Sequence, residues 1–306
     1  MMGPYTPLVS VILPTYNRCN LLPRAVGSIL GQTYVNLECI IVDDGSTDGT
    51  ARIVQEFTDK RVIYLRHQAN RHASAARNTG IKHGKGDFFA FLDDDDEWLP
   101  EKLEKQIAHI RQCPESVGMI YCWMDYYDVQ ENLTKKHHPT FKGYVFKHVL
   151  DKQRIGGCPT LLIRRAVIDE VGDFDESLRR GNDGDFIRRV TKHYLVDYVP
   201  EVLVKVHVGH GDRISVGNHG DRIAAIEKRL DFFRDDYNMY QDKKATTLAH
   251  LGTTCLKSGL VWKSLNAFAE VLRCEAGWRH KVKLLLNSAK EGSVFVWRNI
   301  FTRGRR

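Results

Sequence analysis

The sequence predicts an α/β fold, a parallel sheet flanked by helices, followed by a helical C-terminal extension. Three observations predict it. Over the first hundred residues, short apolar runs rich in β-branched residues alternate with amphipathic stretches, the pattern of βαβ units. Three of those runs stop abruptly in polar or acidic residues, as strands do when they reach the edge of a sheet. Beyond Gly220 the period is helical to the end, with no repeat strong enough for a solenoid.

Strands are read at Leu8 to Leu13, Leu37 to Val42, Val62 to Leu65 and Phe88 to Leu92, apolar throughout as buried parallel strands are. Between the first two, Asn20 is positioned to cap a helix presenting Leu21, Leu22, Ala25, Val26, Ile29 and Leu30. Thr47 or Asp48 opens the next helix, with Ile53, Val54 and Phe57 inward, and a third runs from about Ser74 to Lys82. Right-handed crossovers then bring the carboxyl ends of the strands to one edge, where ligands of open α/β folds bind. A helix over Glu101 to Gln112 precedes a strand near Val117 to Trp123. Residues 125 to 160 read as an excursion of loops with one short helix. A strand (Thr160 to Ile163), two helices (Ala166 to Val171 and Asp185 to Tyr194) and an extended run (Val196 to Val208) complete a domain of residues 1 to 216, with a basic helical region over 217 to 306.

The 306 residues carry a net charge of +7, unevenly placed. Residues 217 to 306 hold 17 Lys/Arg against 9 Asp/Glu, whereas the first 216 hold 28 against 29. The basic excess points to an anionic partner for the C-terminal region, and the aromatic and basic mixture of Val294 to Arg306 fits a membrane surface. No recognised nucleic-acid-binding motif accompanies it, so nucleic acid is the lesser reading. The seven cysteines show no C-x-x-C pair and no histidine at zinc-finger spacing, which indicates neither a disulfide frame nor a structural metal site. With no signal-peptide pattern and no long apolar span, the expected location is cytoplasmic, with peripheral contact at the membrane face.

The chemistry is expected at the strand ends. Pro14-Thr15-Tyr16-Asn17 follows the first strand, Asp43-Asp44-Gly45-Ser46 the second, and Asp93-Asp94-Asp95-Asp96 the fourth. Four successive carboxylates in a partly dry cleft repel one another unless a cation is present. A hard divalent ion, Mg²⁺ or Mn²⁺, suits such oxygen ligands and leaves positions for substrate phosphates. The plain alternative is a solvated acidic turn, which needs no fully apolar strand before it. Asp43-Asp44 equally reads as a strand-end turn with a carboxylate left over for a base or ribose, and Tyr16 as a flat surface for the base or as simple packing.

Four blocks in order, Val9 to Arg18, Ile41 to Thr50, Ala76 to Gly80 and Gly86 to Asp96, together resemble the family 2 glycosyltransferases over roughly residues 8 to 216. The resemblance implies the GT-A fold, a Rossmann-like mixed, mainly parallel sheet, with a nucleotide-diphosphate sugar as donor, UDP-sugars foremost, and inversion at the anomeric carbon. It makes Pro14, Tyr16, Asp43 and Asp44 part of a nucleoside pocket and Arg77 a contact near the nucleotide. Asp93 to Asp95 match the metal-binding D-x-D, with Asp95 as the direct ligand and Asp93 and Asp94 toward ribose and diphosphate. The family's acidic pair at a helix start aligns with Asn182-Asp183, so that Asp183 would take the proton from a glycan or lipid-linked acceptor hydroxyl. Asn182 in place of the usual Glu is a departure, and Asp185 two residues on is the competing choice, which capping alone would also explain. Val206 to Ser215 is similar to the last core block, which makes His207, His210 and Arg213 candidates for diphosphate contact or a further metal ligand. Two rival readings stand beside this one. A nucleotidyltransferase would carry a glycine-rich basic loop after the first strand, whereas no glycine occurs between Pro14 and Gly27. A non-catalytic relic of the fold would bind donor without turnover, with Asn182 as its mark.

Overall fold

The computed structural model describes residues 6–209 and 219–303, with side chains as far as 291. The chain falls into two compact units, one of Met1–Val149 with Gln153–Asp212, the other of Leu150–Lys152 with Arg213–Arg306. The division expected after residue 216, and the candidates His210 and Arg213, lie outside the described residues.

The first unit begins as the apolar runs require. Strands β1 (Val9–Thr15), β2 (Leu37–Asp43), β3 (Val62–Arg66) and β4 (Phe88–Phe91) pair in parallel, in the spatial order β3-β2-β1-β4. Every residue of β1 and β2 is buried, because both faces of the sheet are covered. On one face lie α1 (Leu22–Leu30) and α2 (Thr50–Gln55), which contribute Leu22, Val26, Ile29 and Val54 to the core. On the other, α3 (His72–His83) brings Ala76 and Ile81 against Ile40, Val42 and Ile12.

The expected caps differ in detail. The cap of α1 is Leu21 rather than Asn20, and no side-chain oxygen bonds it; Pro23 in the first turn, where its missing N–H costs nothing, sets the start instead. At α2 the cap is Gly49, while the Asp48 carboxylate accepts the N–H of Thr50 at 2.9 Å and of Cys19 at 3.0 Å, joining two loops.

After β4 the topology departs from a wholly parallel sheet. The two-residue β5 (Glu97–Trp98) leads to α4 (Lys102–Ile110), whose Leu103, Ile107 and Ile110 join the α1 side of the core. A long β6 (Val117–Tyr127) turns back as a hairpin with β7 (Leu133–His137). A short α5 (Phe146–Val149), a 3-10 turn (Cys158–Thr160) and β8 (Leu162–Arg164) follow, and β8 inserts antiparallel between β4 and β6. Helices α6 (Arg165–Val171) and α7 (Asn182–His193) cover the α3 side, and β9 (Leu195–His207) runs parallel to β6 and antiparallel to β5. Because β8 is antiparallel to both neighbours, β6 and β9 regain the direction of β1 to β4. Their carboxyl ends therefore share the edge that carries the polar strand ends.

From residue 219 on, the described part of the second unit is built of helices: α8 (His219–Phe232), α9 (Arg234–Met239), α10 (Gln241–Lys257), α11 (Val261–Arg273) and α12 (Trp278–Arg303). Its core is Ile223, Ile226, Leu251, Cys255 and Ala267, with Ala245, Leu248, Ala249 and Val271 beside them. Gly252 lets α10 and α11 approach closely: a Cβ there would stand 2.6 Å from the Phe268 ring. No helix among the described residues is long and apolar enough to cross a membrane.

Candidate active site

The site is built where β1, β2 and β4 end. At the tip of β1 the Thr15 hydroxyl donates to Asp94 Oδ2 at 2.7 Å, and the Thr15 carbonyl accepts the Asp44 N–H at 2.8 Å, so one threonine ties all three strand ends together. Beyond it Asn17 takes the left-handed backbone conformation (φ 52°) and stitches the first loop to the second: its N–H donates to Ser46 Oγ and its side-chain oxygen accepts the Thr47 N–H. Gly45 (φ +81°) makes the turn between them, where a Cβ would meet the Ala69 backbone at 2.9 Å.

The acidic run is partly neutralised from within. Arg18 Nη1 lies 2.9 Å from Asp94 Oδ1 and 2.7 Å from Asp95 Oδ2, and Arg24 holds the Asp95 carbonyl at 2.7 Å. Arg77, buried in α3, reaches Asp93 Oδ1 at 2.6 Å. Two guanidinium groups thus offset part of the repulsion for which the sequence reading called on a bound cation. Burial dominates at Asp94 and pushes its carboxyl up to about 7; Arg18 opposes this, and the neighbouring Asp95 charge adds to it. Residues and cation chemistry fit: the Asp94 and Asp95 carboxylates converge on one positively charged atom, and an all-oxygen donor set suits Mg²⁺ or Mn²⁺. Asp93 is the most open of the paired carboxylates here, its side chain 34% exposed.

Arg77 also links this run to the acceptor-side candidate. Its Nη1 is 3.5 Å from Asp183 Oδ1, and the other Asp183 oxygen accepts the Cys158 N–H at 3.2 Å. Burial disfavours the Arg77 charge, but the groups around it, Cys158, Asp93 and Asp183, raise its pKa above the ordinary value. Helix α7 begins at Asn182, three residues earlier than expected, after Gly181 in the left-handed conformation. Asn182 does not stand as a reactive group: its amide donates to Ser74 of α3 at 3.1 Å and its oxygen accepts the Asp183 N–H. Asp185 neither caps the helix nor faces Arg77. It pairs with Arg189 one turn on, at 3.0 Å, and Arg189 in turn holds the carbonyls of Val171, Gly172 and Asp173.

The nucleoside-pocket candidates divide. Tyr16 is 43% exposed at the end of β1 and Pro14 is buried within it. Asp43 is fully buried, its oxygens accepting the Ser46 N–H at 2.8 Å and the Tyr64 hydroxyl at 2.6 Å. Asp44 meets His67 Nδ1 at 2.6 Å and accepts the Arg71 N–H at 2.9 Å. At the end of β9, His207 is buried between Glu97 (3.2 Å) and Glu131 (3.3 Å). Burial first, then the nearby Arg24 charge, lowers its pKa despite those carboxylates.

The family described as glycosyl transferase family 2 matches residues 10–172, just over half the sequence. The chain belongs to that family. An uncharacterized glycosyltransferase of Rickettsia prowazekii is 35% identical over 211 residues, 67% of this chain and 65% of that protein, so the chain spans a little under two thirds of that relative. UDP-Glc:alpha-D-GlcNAc-diphosphoundecaprenol beta-1,3-glucosyltransferase WfgD of Escherichia coli is 45% identical over 101 residues, 33% of this chain and 40% of that one. A mannosyltransferase from Pyrobaculum calidifontis, solved in complex with GDP-Man and Mn²⁺, superimposes with a TM-score of 0.58 at 19% identity, covering 93% of this chain and 80% of its own. That likeness is one of fold, the GT-A arrangement.

Arg18, Thr15, His67, Arg71 and Cys158 contact the candidate residues and were not singled out by sequence reasoning. Arg18 closes the first block and was readable as a cation opposite the acidic run. The other contacts, two of them from backbone N–H groups, join residues 12 to 79 apart at one edge, which no local pattern announces.

Proposed function

We propose that the chain is an inverting glycosyltransferase that moves a sugar from a nucleotide-diphosphate sugar to an acceptor hydroxyl, with Asp183 as the base and a divalent cation held at the acidic run, Asp95 its direct ligand. The observation that carries the reading is the Arg77 bridge, a buried guanidinium that meets both Asp93 of the donor-side run and Asp183, each partly open to solvent. Attack of the acceptor oxygen forms a new bond at the anomeric carbon as the bond to the diphosphate breaks, and the acceptor proton passes to the Asp183 carboxylate. The metal, when bound, supplies positive charge that stabilises the departing diphosphate. Asp93 and Asp94 lie toward ribose and diphosphate, Tyr16 offers its exposed ring to the base, and Pro14, Asp43 and Asp44 shape the pocket floor. The Asp43 and Asp44 bonds favour a role in rigidifying that floor, which fixes donor position before reaction. Asp185 orients α7 through Arg189.

A UDP-sugar is the first choice of donor, since WfgD, similar over a third of the chain, uses UDP-Glc. The acceptor is a glycan or a lipid-linked saccharide. Binding of UDP, GDP and TDP measured calorimetrically with and without Mn²⁺ tests the donor reading: one nucleotide should bind tighter with metal, and that gain should vanish in Asp95→Ala. If no nucleotide binds under either condition, the proposal fails.

The second unit supports a cytoplasmic membrane-surface role. Trp278 (69% exposed), Val282 (44%) and Leu286 (64%) form a stripe at i, i+4, i+8 on α12, flanked by Arg279 and Lys283. Apolar side chains bordered by cations suit an anionic lipid interface.

A further inference from the structure

At the opposite edge of the sheet from the acidic run, α4 ends and β9 begins. His109 on α4 and Cys113 just past its end are four residues apart, hence on one side of the helix. Asp197, the third residue of β9, comes to meet them. One ligand atom from each, the His109 ring nitrogen, the Cys113 sulfur and an Asp197 oxygen, lies within 4.8 Å of the other two. His109 Nε2 is 3.4 Å from Asp197 Oδ2, yet it is shielded from water and makes no hydrogen bond. A buried ring nitrogen left in this way is uncommon in folded proteins and calls for a partner.

We propose that His109, Cys113 and Asp197 form a second cation site, for Zn²⁺ or a metal of the same borderline class, distinct in chemistry from the oxygen-only run at the catalytic edge. Nitrogen, thiolate and carboxylate together select zinc-type ions, whereas Mg²⁺ and Mn²⁺ prefer oxygen alone. In tetrahedral zinc geometry neighbouring ligand atoms stand about 3.3–3.7 Å apart, and the His109–Asp197 separation of 3.4 Å already falls in that range. Metal entry forms bonds to all three atoms, with water as the fourth ligand, and releases the Cys113 thiol proton to solvent. The Cys113 sulfur gives up its contact with the His109 carbonyl, 3.4 Å away. Burial first, then the Asp197 charge, holds the Cys113 thiol above its ordinary range, and the Arg164 and Lys142 charges only oppose this; the cation therefore has to displace the thiol proton, and those two positive charges limit its affinity. The site clamps α4 to β9, two elements distant in sequence, and α4 is the helix that follows the acidic run.

The sequence reading of no structural metal site rested on local spacing. Here the third ligand is 84 residues beyond Cys113, out of reach of any short motif.

Co²⁺ titrated into Asp95→Ala, which weakens binding at the catalytic edge, is the test. One equivalent should produce tetrahedral absorption with a thiolate-to-cobalt charge-transfer band, and Zn²⁺ should displace it. The band should be absent from the same protein carrying Cys113→Ser, and Asp197→Asn, which keeps the side-chain shape, should weaken binding by about tenfold or more. Zn²⁺ should raise the melting temperature of the parent and not of the Cys113→Ser protein, whose metal-free melt checks that it is folded. A thiolate band that survives Cys113→Ser, an octahedral spectrum without one, or unchanged affinity in Asp197→Asn overturns the proposal.

Discussion

Arg18 and Arg77 divide the acidic run between them, one across Asp94 and Asp95 and the other on Asp93. Below about pH 7, where burial has pushed its pKa, a proton on Asp94 removes negative charge beside the proposed Asp95 ligand. Mn²⁺ affinity should therefore rise as pH increases toward 7 and level off above it, and Asp94→Asn should flatten that profile; calorimetry between pH 5.5 and 8, both about one unit or more from the midpoint, reads it. Lys102 is a second residue whose setting predicts pH behaviour. It is fully buried, 3.9 Å above the Trp98 ring, with Nζ donating to Gln106 at 2.7 Å, and burial lowers its pKa to about 8. With the unfolded value near 10.5, the cost of burying the charge is fully present below pH 8 and is relieved as pH rises to about 10. Lys102→Met should be more stable than the wild type at pH 7, by up to about 3 kcal/mol, and that advantage should shrink on going to pH 10 in denaturant titrations.

Among the elements, α3 has the most demanding sequence. Its polar face is buried: Arg77 serves the acidic run, Asn78 both donates to and accepts from the Phe174 backbone at 2.9 Å, and Ser74 meets Asn182. Gly80 is needed because a Cβ would stand 2.5 Å from Ile12 Cγ2 in the buried centre of β1. Gly80→Ala should gain helix propensity of about 1 kcal/mol and lose more to overpacking, for a net destabilisation of about 1–2 kcal/mol in equilibrium unfolding. The strands and helices of the first hundred residues were legible because their apolar runs face a two-sided core. The hairpin strand β7 was not: Leu133–His137 is largely exposed and has no alternation to read. The antiparallel insertion of β8 was equally hidden, since strand order leaves no periodic trace. At the site, the acidic residues could be read from their position after apolar strands. The Arg77–Asp183 contact joins residues 106 apart and required the fold.

For the whole molecule, charge and exposed apolar surface coincide in the second unit, where residues 273–306 hold nine Lys/Arg against two Asp/Glu. The full chain should co-sediment with vesicles containing anionic lipid and much less with neutral ones, and should be released by salt as the Debye length falls to about 3 Å near 1 M. Trp278→Ala with Leu286→Ala should weaken vesicle binding while the first unit keeps its nucleotide affinity.

In the proposed reaction Asp183 is the base, and the acidic run with Arg77 positions the donor. Release of nucleotide from the best-binding nucleotide-sugar with Mn²⁺ and acceptor extract, compared among the wild type, Asp183→Asn and Asp185→Asn, addresses it most directly. Asp183→Asn should bind donor normally and lose turnover by about 10²–10⁴-fold, while Asp185→Asn should retain most of it. Equal loss in both, or full turnover in Asp183→Asn, would rule out Asp183 as the base.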